Sequence, residues 1–277
     1  MPRSLDCLSP LLAQRWRVPS LIQSTLACHG LAGAVALAWP DAALWAGAAV
    51  LLNHAVMTVA TVTPRCQWLG RNVVALPPAA VRRGEVAITI DDGPDPEVTP
   101  RVLDLLDRSG VKATFFCIAD KVARHPWLAR EIVARGHDLQ NHSFAHRHTF
   151  AFLGPNGYAA ELSQAQQTIE AITGHRPRFF RAPAGVRNCF LDPVMRQSGL
   201  TLVSWTRRGF DTRRALPRQV LRRLTQRLAA GDILLLHDGN AGSSASGDPL
   251  ILSVLPALIE RCRAAGLRPV RLVDALH

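Results

Sequence analysis

Residues 86–94 read VAITIDDGP, an apolar run that ends in two adjacent carboxylates followed by glycine and proline. Such a short run, rich in β-branched residues, predicts a buried β-strand that stops at Asp91. Gly93 and Pro94 predict a tight turn that points both carboxylates the same way. Neighbouring carboxylates repel each other, so the strand end needs a compensating metal ion or arginine. The simpler alternative is an ordinary acidic turn, because Asp-Gly is common in turns.

Short apolar strands alternate with amphipathic helices from about Gly84 to the C-terminus. Strands are predicted at 86–90, 113–118, 137–141, 178–181, 200–205, 233–237 and 270–272, and helices at 99–108, 121–135, 158–172, 191–197, 217–229 and 249–264. This alternation predicts an α/β fold with a parallel sheet, and closure gives a (β/α) barrel, seven-stranded and incomplete or distorted. In such barrels the chemistry lies at the C-terminal ends of the strands.

A second polar cluster, 142-HSFAH-146, follows the third predicted strand. Two histidines four residues apart face the same way on a helical turn, a spacing that suits a divalent metal. With Asp92 added, the set becomes two histidines and one carboxylate, which leaves coordination positions open for water and substrate. A polar, histidine-rich loop is the alternative, because the spacing alone is a modest signal.

Two further predicted strands end in an arginine and a histidine. Arg181, in 181-RAPAG-185, can pair with a carboxylate and hold it ionised. His237, in 234-LLLHD-238, ends a buried strand, which is a natural place for a general acid. The alternatives are an arginine that caps a strand end and a core histidine with one hydrogen bond.

Together, these clusters resemble the motifs of the polysaccharide deacetylase family, also called carbohydrate esterase family 4, with its nodulation-type chitooligosaccharide deacetylase homology domain. The resemblance covers about Gly84 to the C-terminus. It implies that Asp91 is the catalytic base and that Asp92, His142 and His146 bind the metal. The metal is expected to be zinc, with cobalt, nickel and manganese as alternatives for this ligand set.

The resemblance also implies roles for the residues around this centre. Arg181 orients the base, His237 is the acid, and Asp211 tunes that acid. The residues that it places at the substrate are Pro183, Ala184, Gly185, Trp205 and Leu235. The backbone N–H of Ala184 is expected to stabilise the oxyanion of the tetrahedral intermediate.

The sequence departs from the family pattern at three positions. Ala184 stands where the family often has tyrosine, Arg208 where it has the first aspartate of a DxxDW motif, and Thr212 where it has the tryptophan of that motif. The proposed chemistry remains possible, but these changes call the usual polymer substrate into question.

Two apolar stretches at 21–39 and 42–62 precede this domain, separated by Pro40-Asp41. Each is close to the length that crosses a bilayer as a helix, so they predict a transmembrane helical hairpin. Polar residues such as His29 and His54 favour the alternative, two soluble helices lying on the catalytic domain. The resulting division is 1–63 hairpin region, 64–83 linker and 84–277 catalytic domain.

A cleaved signal peptide is a third interpretation of the N-terminus. Arg15 and Arg17 precede an apolar run that ends in Ala36-Leu37-Ala38, which looks like a cleavage site. The second apolar stretch argues against simple secretion. Basic residues flank both sides of the hairpin, namely Arg3, Arg15, Arg17, Arg65, Arg71, Arg82 and Arg83. The positive-inside rule then places both ends of the hairpin in the cytoplasm.

Net charge and cysteine spacing indicate which partners the protein binds and in which cellular compartment it works. The net charge of +11 suits an anionic substrate or membrane, while the sequence has no aromatic-interleaved basic stripe or motif for nucleic acid. The six cysteines are scattered without a CxxC pair, which favours reduced thiols and a cytosolic face.

These observations predict a metal-dependent enzyme that removes an acetyl or formyl group from an amino sugar. The expected substrate is lipid-linked, such as an undecaprenyl-linked sugar, at the inner membrane of a bacterium, as in the related formamido-arabinose deformylases. The alternative is a polymer such as peptidoglycan, a chitin-like oligosaccharide or an exopolysaccharide, with the catalytic domain on the periplasmic or extracellular face. A non-catalytic binding module on a decayed enzyme fold is less expected, because the base, the acid and all three metal ligands are present.

Overall fold

A parallel sheet forms the centre of the domain, in a computed structural model that describes residues 17–276. The strands are β1 (Glu85–Asp91), β2 (Thr114–Cys117), β3 (Asp138–Asn141), β4 (Phe179–Phe180), β5 (Thr201–Leu202), β6 (Arg207–Arg208), β7 (Ile233–His237) and β8 (Arg268–Val270). Seven strands follow one path in the order β5-β4-β3-β2-β1-β7-β6, and β8 pairs with the start of β1. The strand pairs are parallel.

The path is curled rather than flat. Its two ends, β5 and β6, are joined by residues 203–206 alone, so they must lie near each other. The structure thus confirms the prediction of an incomplete (β/α) barrel, an open half-barrel in which β1 lies between β2 and β7.

Helices surround this sheet and follow the hairpin helices in chain order. The helices are α1 (Ser20–Ala38), α2 (Ala43–Val62), α3 (Pro78–Arg82), α4 (Thr99–Arg108), α5 (Ala119–Arg124), α6 (Pro126–Ala134), α7 (Pro155–Thr173), α8 (Leu191–Gln197), α9 (Pro217–Thr225), α10 (Leu250–Ala264) and α11 (Leu272–Ala275). The predicted helix at 121–135 is wrong as a single element, because it divides at His125. Pro126 lacks an N–H and restricts the preceding residue, which lies at φ −128° and ψ 59°.

Alternation along β1 decides what faces the site. Val86, Ile88 and Ile90 belong to the main hydrophobic core beneath the helices, where the buried side chains of α4 and α10 also lie. The intervening side chains point to the opposite face of the sheet, so Thr89 and Asp91 lie on the concave face. An otherwise apolar strand can therefore present a carboxylate at its carboxyl end.

The hairpin helices α1 and α2 pack against each other but leave most of their surface exposed. No residue of α1 is buried, and in α2 only Ala46 and Ala60 are. Both helices are long and apolar enough to cross a membrane, which by itself is weak evidence. Their exposure disfavours the alternative in which they lie on the catalytic domain. Two of the arginines used in the positive-inside prediction, Arg3 and Arg15, lie outside the described residues.

Residues 64–83, interpreted above as a linker, are folded onto the half-barrel. Leu69 is buried, Val73 forms a parallel bridge with Val203, and the Leu76 N–H donates to the Gly231 carbonyl. The hairpin therefore joins the domain through a packed segment.

Candidate active site

The carboxyl ends of β1, β3 and β7 and the loops after β4 and β6 surround a cavity of about 470 Å³ on the concave side of the sheet. The predicted site residues in its lining are Asp91, Asp92, His142, His146, Ala184, Gly185, Trp205, Leu235 and His237. Pro183 is buried within its turn and lies outside the lining. The barrel geometry thus gathers side chains that are up to 146 positions apart in the chain.

Three of these side chains form a metal-type cluster. Nε2 of His142 and Nε2 of His146 each lie 3.1 Å from Oδ1 of Asp92. The ligand atoms all lie within 4.8 Å of one another. Nδ1 of His142 is 2.8 Å from the Arg181 carbonyl oxygen, so it carries the proton and leaves Nε2 with a free lone pair.

The chemistry of this donor set fits a divalent cation. Asp92 Oδ1 is buried and has no hydrogen-bond donor among the described residues, although two imidazole nitrogens face it. Burial disfavours the Asp92 carboxylate, but its neighbours His142 and His146 outweigh that effect and hold the pKa well below its usual range. Two nitrogens and one oxygen, with room left in the cavity, suit zinc and other first-row ions.

The loop that carries both histidines is not the helical turn predicted from the spacing. Ser143 and His146 have positive φ angles of 65° and 49°. The Ser143 N–H donates to Asn141 Oδ1, and Glu161 accepts the N–H groups at 144 and 145, so side chains replace helical hydrogen bonds. The two imidazoles still converge on Asp92, by loop conformation instead of helical periodicity.

Asp91 is held by a fully buried arginine. Nη1 of Arg181 lies 2.6 Å from Asp91 Oδ1, and the other hydrogen bonds of this guanidinium go to Thr89 and to the carbonyls of Val203 and Ser204. Burial lowers the pKa of Arg181, and the adjacent Asp91 carboxylate opposes that shift. The other carboxylate oxygen, Oδ2, is 4.0 Å from His142 Nε2, so Asp91 has one oxygen fixed and one facing the cluster.

His237 is held in the same manner by Asp211. Nδ1 lies 2.8 Å from Asp211 Oδ1, and the His237 N–H donates to Asp211 Oδ2. Burial disfavours the imidazolium, but the Asp211 hydrogen bond and the Asp91 and Asp92 carboxylates outweigh it and raise the pKa of His237. The bond at Nδ1 leaves Nε2 for the cavity.

The turn after β4 brings Ala184 to the cavity wall. Ala184 has φ 53°, a sparsely populated conformation for a residue with a side chain. At Gly185 a Cβ atom would lie 2.5 Å from Pro64 and 2.6 Å from Trp205, so this position requires glycine. The sharp turn is packed against the residues that follow α2.

Sequence reasoning missed several residues of the cavity wall. Lys121 donates from Nζ to the Asp92 carbonyl at 2.8 Å, and Asn240 donates to Asp92 Oδ2 at 3.3 Å. Arg124 and His148 also line the cavity. Lys121 and Arg124 lie on a short helix whose charged residues resemble any solvated face, so no sequence signal distinguished them.

One edge of the open parallel half-barrel carries the Asp-His-His cluster together with two pairs, Arg181 with Asp91 and His237 with Asp211. This arrangement is typical of metal-assisted hydrolases. The polysaccharide deacetylase family model matches residues 79–203. Over 172 residues the chain is 34% identical to a chitooligosaccharide deacetylase of Bradyrhizobium sp., covering 59% of this chain and 78% of that protein. The chain belongs to the polysaccharide deacetylase family, whose activity is the hydrolysis of N-acetyl amides on carbohydrates.

Two further comparisons agree with this assignment. A peptidoglycan-N-acetylglucosamine deacetylase of Bacillus cereus is 29% identical over 202 residues, covering 69% of this chain and 88% of that one. A mutant of a carbohydrate esterase family 4 pseudoenzyme from Bacillus anthracis, with restored enzymatic activity, superposes with a TM-score of 0.67 at 25% identity. That match covers 75% of this chain and 71% of the other.

Proposed function

We propose that the protein hydrolyses the N-acyl group, acetyl or formyl, of an amino sugar carried on a lipid at a membrane surface. The observation that carries the hydrolase proposal is the buried Asp92 oxygen that faces two imidazole nitrogens, beside the arginine-held Asp91. We assign Asp92, His142 and His146 as the residues that hold zinc or a similar divalent ion. When bound, the ion would polarise the acyl carbonyl and acidify a water molecule.

The protein groups supply the proton transfers. Asp91 takes a proton from the attacking water, and Arg181 orients that carboxylate through the ion pair at Oδ1. The N–H of Ala184 donates to the carbonyl oxygen as negative charge develops on it. His237, held by Asp211, donates a proton to the sugar nitrogen as the C–N bond breaks. The products are a carboxylic acid and a free amine.

The lining supports an acyl group of small size. Trp205 and Leu235 are both buried and border the cavity next to His237. Their apolar surfaces suit a formyl or acetyl group beside the scissile bond.

The attachment of the hairpin supports a substrate at the membrane. The Arg187 N–H donates to the Thr61 carbonyl at the end of α2, and Ser204 Oγ donates to the Pro64 carbonyl. Pro64 also contacts the Gly185 position of the cavity wall. With α1 and α2 in a bilayer, the cavity therefore lies beside the membrane surface, where a lipid-linked head group is found. We assign both hairpin ends, and hence the catalytic domain, to the cytoplasmic side.

A polymer substrate is the second candidate, and the named relatives favour it. They act on peptidoglycan and on chitooligosaccharides. This candidate requires the domain on the outer side of the membrane.

The test compares substrates and topology on the full chain. Zinc-loaded protein is offered an undecaprenyl-linked N-acetyl amino sugar, an N-formyl analogue, peptidoglycan fragments and a chitooligosaccharide, and released acid is measured. We expect a lipid-linked sugar to be the best substrate. A C-terminal alkaline phosphatase fusion should be inactive, and a cytoplasm-dependent fluorescent fusion should be bright. Preferred hydrolysis of peptidoglycan together with the reverse fusion result would contradict the proposal.

Deleting residues 1–63 gives a matched comparison. The shortened chain should be released from membranes and should keep its bound zinc. Its hydrolysis of a lipid-linked sugar in vesicles should fall, while its hydrolysis of a water-soluble amino sugar should not.

A further inference from the structure

Arg208 lies at a point where the family pattern expects an aspartate, and it faces the cavity. Its backbone pairs with that of Leu235 between β6 and β7, and Leu235 is one of the two apolar residues proposed to border the acyl group. Its guanidinium carbon is 5.4 Å from the Trp205 ring centroid and 5.2 Å from that of Phe210. The two rings fix the guanidinium plane at the rim of the site.

The neighbouring arginine shows what a structural role looks like here. Arg207 pairs with Asp232 and donates to the Gln226 and Arg227 carbonyls. The guanidinium of Arg208 has neither an ion pair nor a hydrogen bond to any residue in the range 17–276, and its buried Nε lacks a partner. A guanidinium carries five N–H donors, and a buried donor without an acceptor is costly.

The other cations of the cavity wall are already engaged. Arg124 pairs with Asp120 at 2.6 Å, and Lys121 donates to the Asp92 carbonyl. Arg181, buried behind the lining, pairs with Asp91. Arg208 is therefore positioned to offer its charge and its donors to something that enters the cavity. A planar, unengaged guanidinium matches an oxyanion group with two accepting oxygens.

We propose that Arg208 recognises an oxyanion group of the substrate, a phosphate or a carboxylate, close to the amide that is hydrolysed. The inference rests on the proposed function and adds a charged feature to the amino sugar. It also explains why the aspartate of the family pattern is absent at this position, since a carboxylate there would repel the same group.

The test measures the affinity of the zinc-loaded full chain, in detergent, for three sugars. The probes are N-acetylglucosamine 1-phosphate, N-acetylmuramic acid with its carboxylate, and the neutral methyl glycoside of N-acetylglucosamine. We expect one anionic sugar to bind about 10-fold to 100-fold more tightly than the neutral one. A phosphate preference indicates a phosphate-linked sugar, and a carboxylate preference indicates an acidic sugar; both support the proposal.

Variants separate recognition from packing. Arg208→Met should abolish the preference for the anionic sugar and leave the affinity for the neutral one unchanged, and Arg208→Lys should keep part of the preference. Arg223→Met is the matched control, because Arg223 packs 5.6 Å from the same Phe210 ring but lies outside the cavity lining. It should leave all affinities unchanged.

Two results would overturn the inference: a wild-type protein without preference, or an Arg208→Met variant that retains it. Acid release is measured in parallel with the same three sugars and with the lipid-linked sugar. Hydrolysis without an Arg208-dependent preference removes this inference and leaves the proposed function. An Arg208-dependent preference without hydrolysis of any N-acyl sugar removes the proposed function and leaves the anion site.

Discussion

The half-barrel has two rims: the amino rim, where the parallel strands begin, and the carboxyl rim, where they end. Both rims carry similar residues on the same strands. Strand β1 begins at Glu85 and ends at Asp91, and β3 begins at Asp138 and is followed by His142. Strand β7 is preceded by Asp232 and ends at His237. Only the carboxyl rim surrounds the cavity, so the type of residue does not explain the difference between the rims.

The difference lies in how each rim satisfies its polar groups. At the amino rim, Glu85 pairs with Arg83 and Arg268, and Asp232 pairs with Arg207. At the carboxyl rim, Oδ1 of Asp92 faces two imidazoles and has no donor among the described residues. A cluster of acceptor atoms without a donor indicates a cation site, whereas ion pairs of opposite charge indicate a structural role.

Shifted pKa values occur at both rims, so they do not show which rim carries the candidate active site. Burial lowers the pKa of His137 to about 4 and raises the pKa of Asp138 to about 6, and both lie at the amino rim. Perturbed titration alone would therefore have indicated a false site. Convergence of unpartnered ligand atoms is the more specific signal.

The largest expected effect comes from breaking the metal cluster. Chelation should abolish activity, and zinc or cobalt should restore it. His142→Ala should lose bound zinc, measured by elemental analysis, together with all activity. The control lies at the other rim of the same strand: His137→Asn keeps an acceptor at the position of Nδ1 for the Ala113 N–H and should retain both zinc and activity. Full turnover by a metal-free preparation would refute the assignment.

Asp91 should be separable from its neighbour. Asp91→Asn should keep zinc but lose about 100-fold to 10,000-fold in kcat, because it removes the proposed general base. Asp92→Asn should weaken zinc binding itself. Asp138→Asn, the matched change at the amino rim, should leave kcat unchanged. Normal zinc content and normal turnover in both site variants would show that these roles are wrong.

The alkaline side of the pH profile should report His237. In its proposed role as the general acid, His237 must be protonated, and its raised pKa keeps it protonated to a higher pH than an ordinary histidine. Activity should therefore fall as pH rises through that pKa. Asp211→Asn removes the negative charge that favours the imidazolium, so the fall should move to lower pH. An unmoved alkaline limit would assign that limit to another group.

Much of this arrangement was predictable because strand ends are visible in the sequence. The apolar runs before Asp91 and His237 locate two strands, and parallel strands bring their carboxyl ends to one edge. Residue type then suggests the chemistry. The pairing of Arg181 with Asp91 follows only once the order of the strands is known.

Other features depend on contacts that the local sequence does not contain. The loop at 142–146 takes its shape from Glu161, on a helix that comes later in the chain, so a helical turn was the wrong prediction. The packing of residues 64–83 depends on Val203 and Gly231. The break at His125, by contrast, was signalled by Pro126 and could have been predicted.

The smallest expected effect concerns stability at the amino rim. Gln140 and Thr114 donate to the buried Asp138 carboxyl, yet burial raises its pKa from 3.8 to about 6. A raised pKa in the folded state means that the stabilising contribution is present below the unfolded value and is lost as pH rises through about 6. The shift corresponds to roughly 3 kcal/mol at most, and we expect about 1 kcal/mol at pH 8 after relaxation.

Asparagine imitates the neutral form, so Asp138→Asn should raise the melting temperature at pH 8 by about 2–4 °C. At pH 5, which lies between the unfolded pKa of 3.8 and the folded pKa of about 6, the rise should be about half as large. Thermal unfolding of the detergent-solubilised full chain across this range measures the difference. Asp91→Asn provides the comparison at the opposite rim, because it leaves Arg181 buried without its counter-ion and should lower the melting temperature at both pH values. If Asp138→Asn instead destabilised the protein at pH 8, the carboxylate would be held by Arg271 nearby, and the amino rim would be matched in charge throughout.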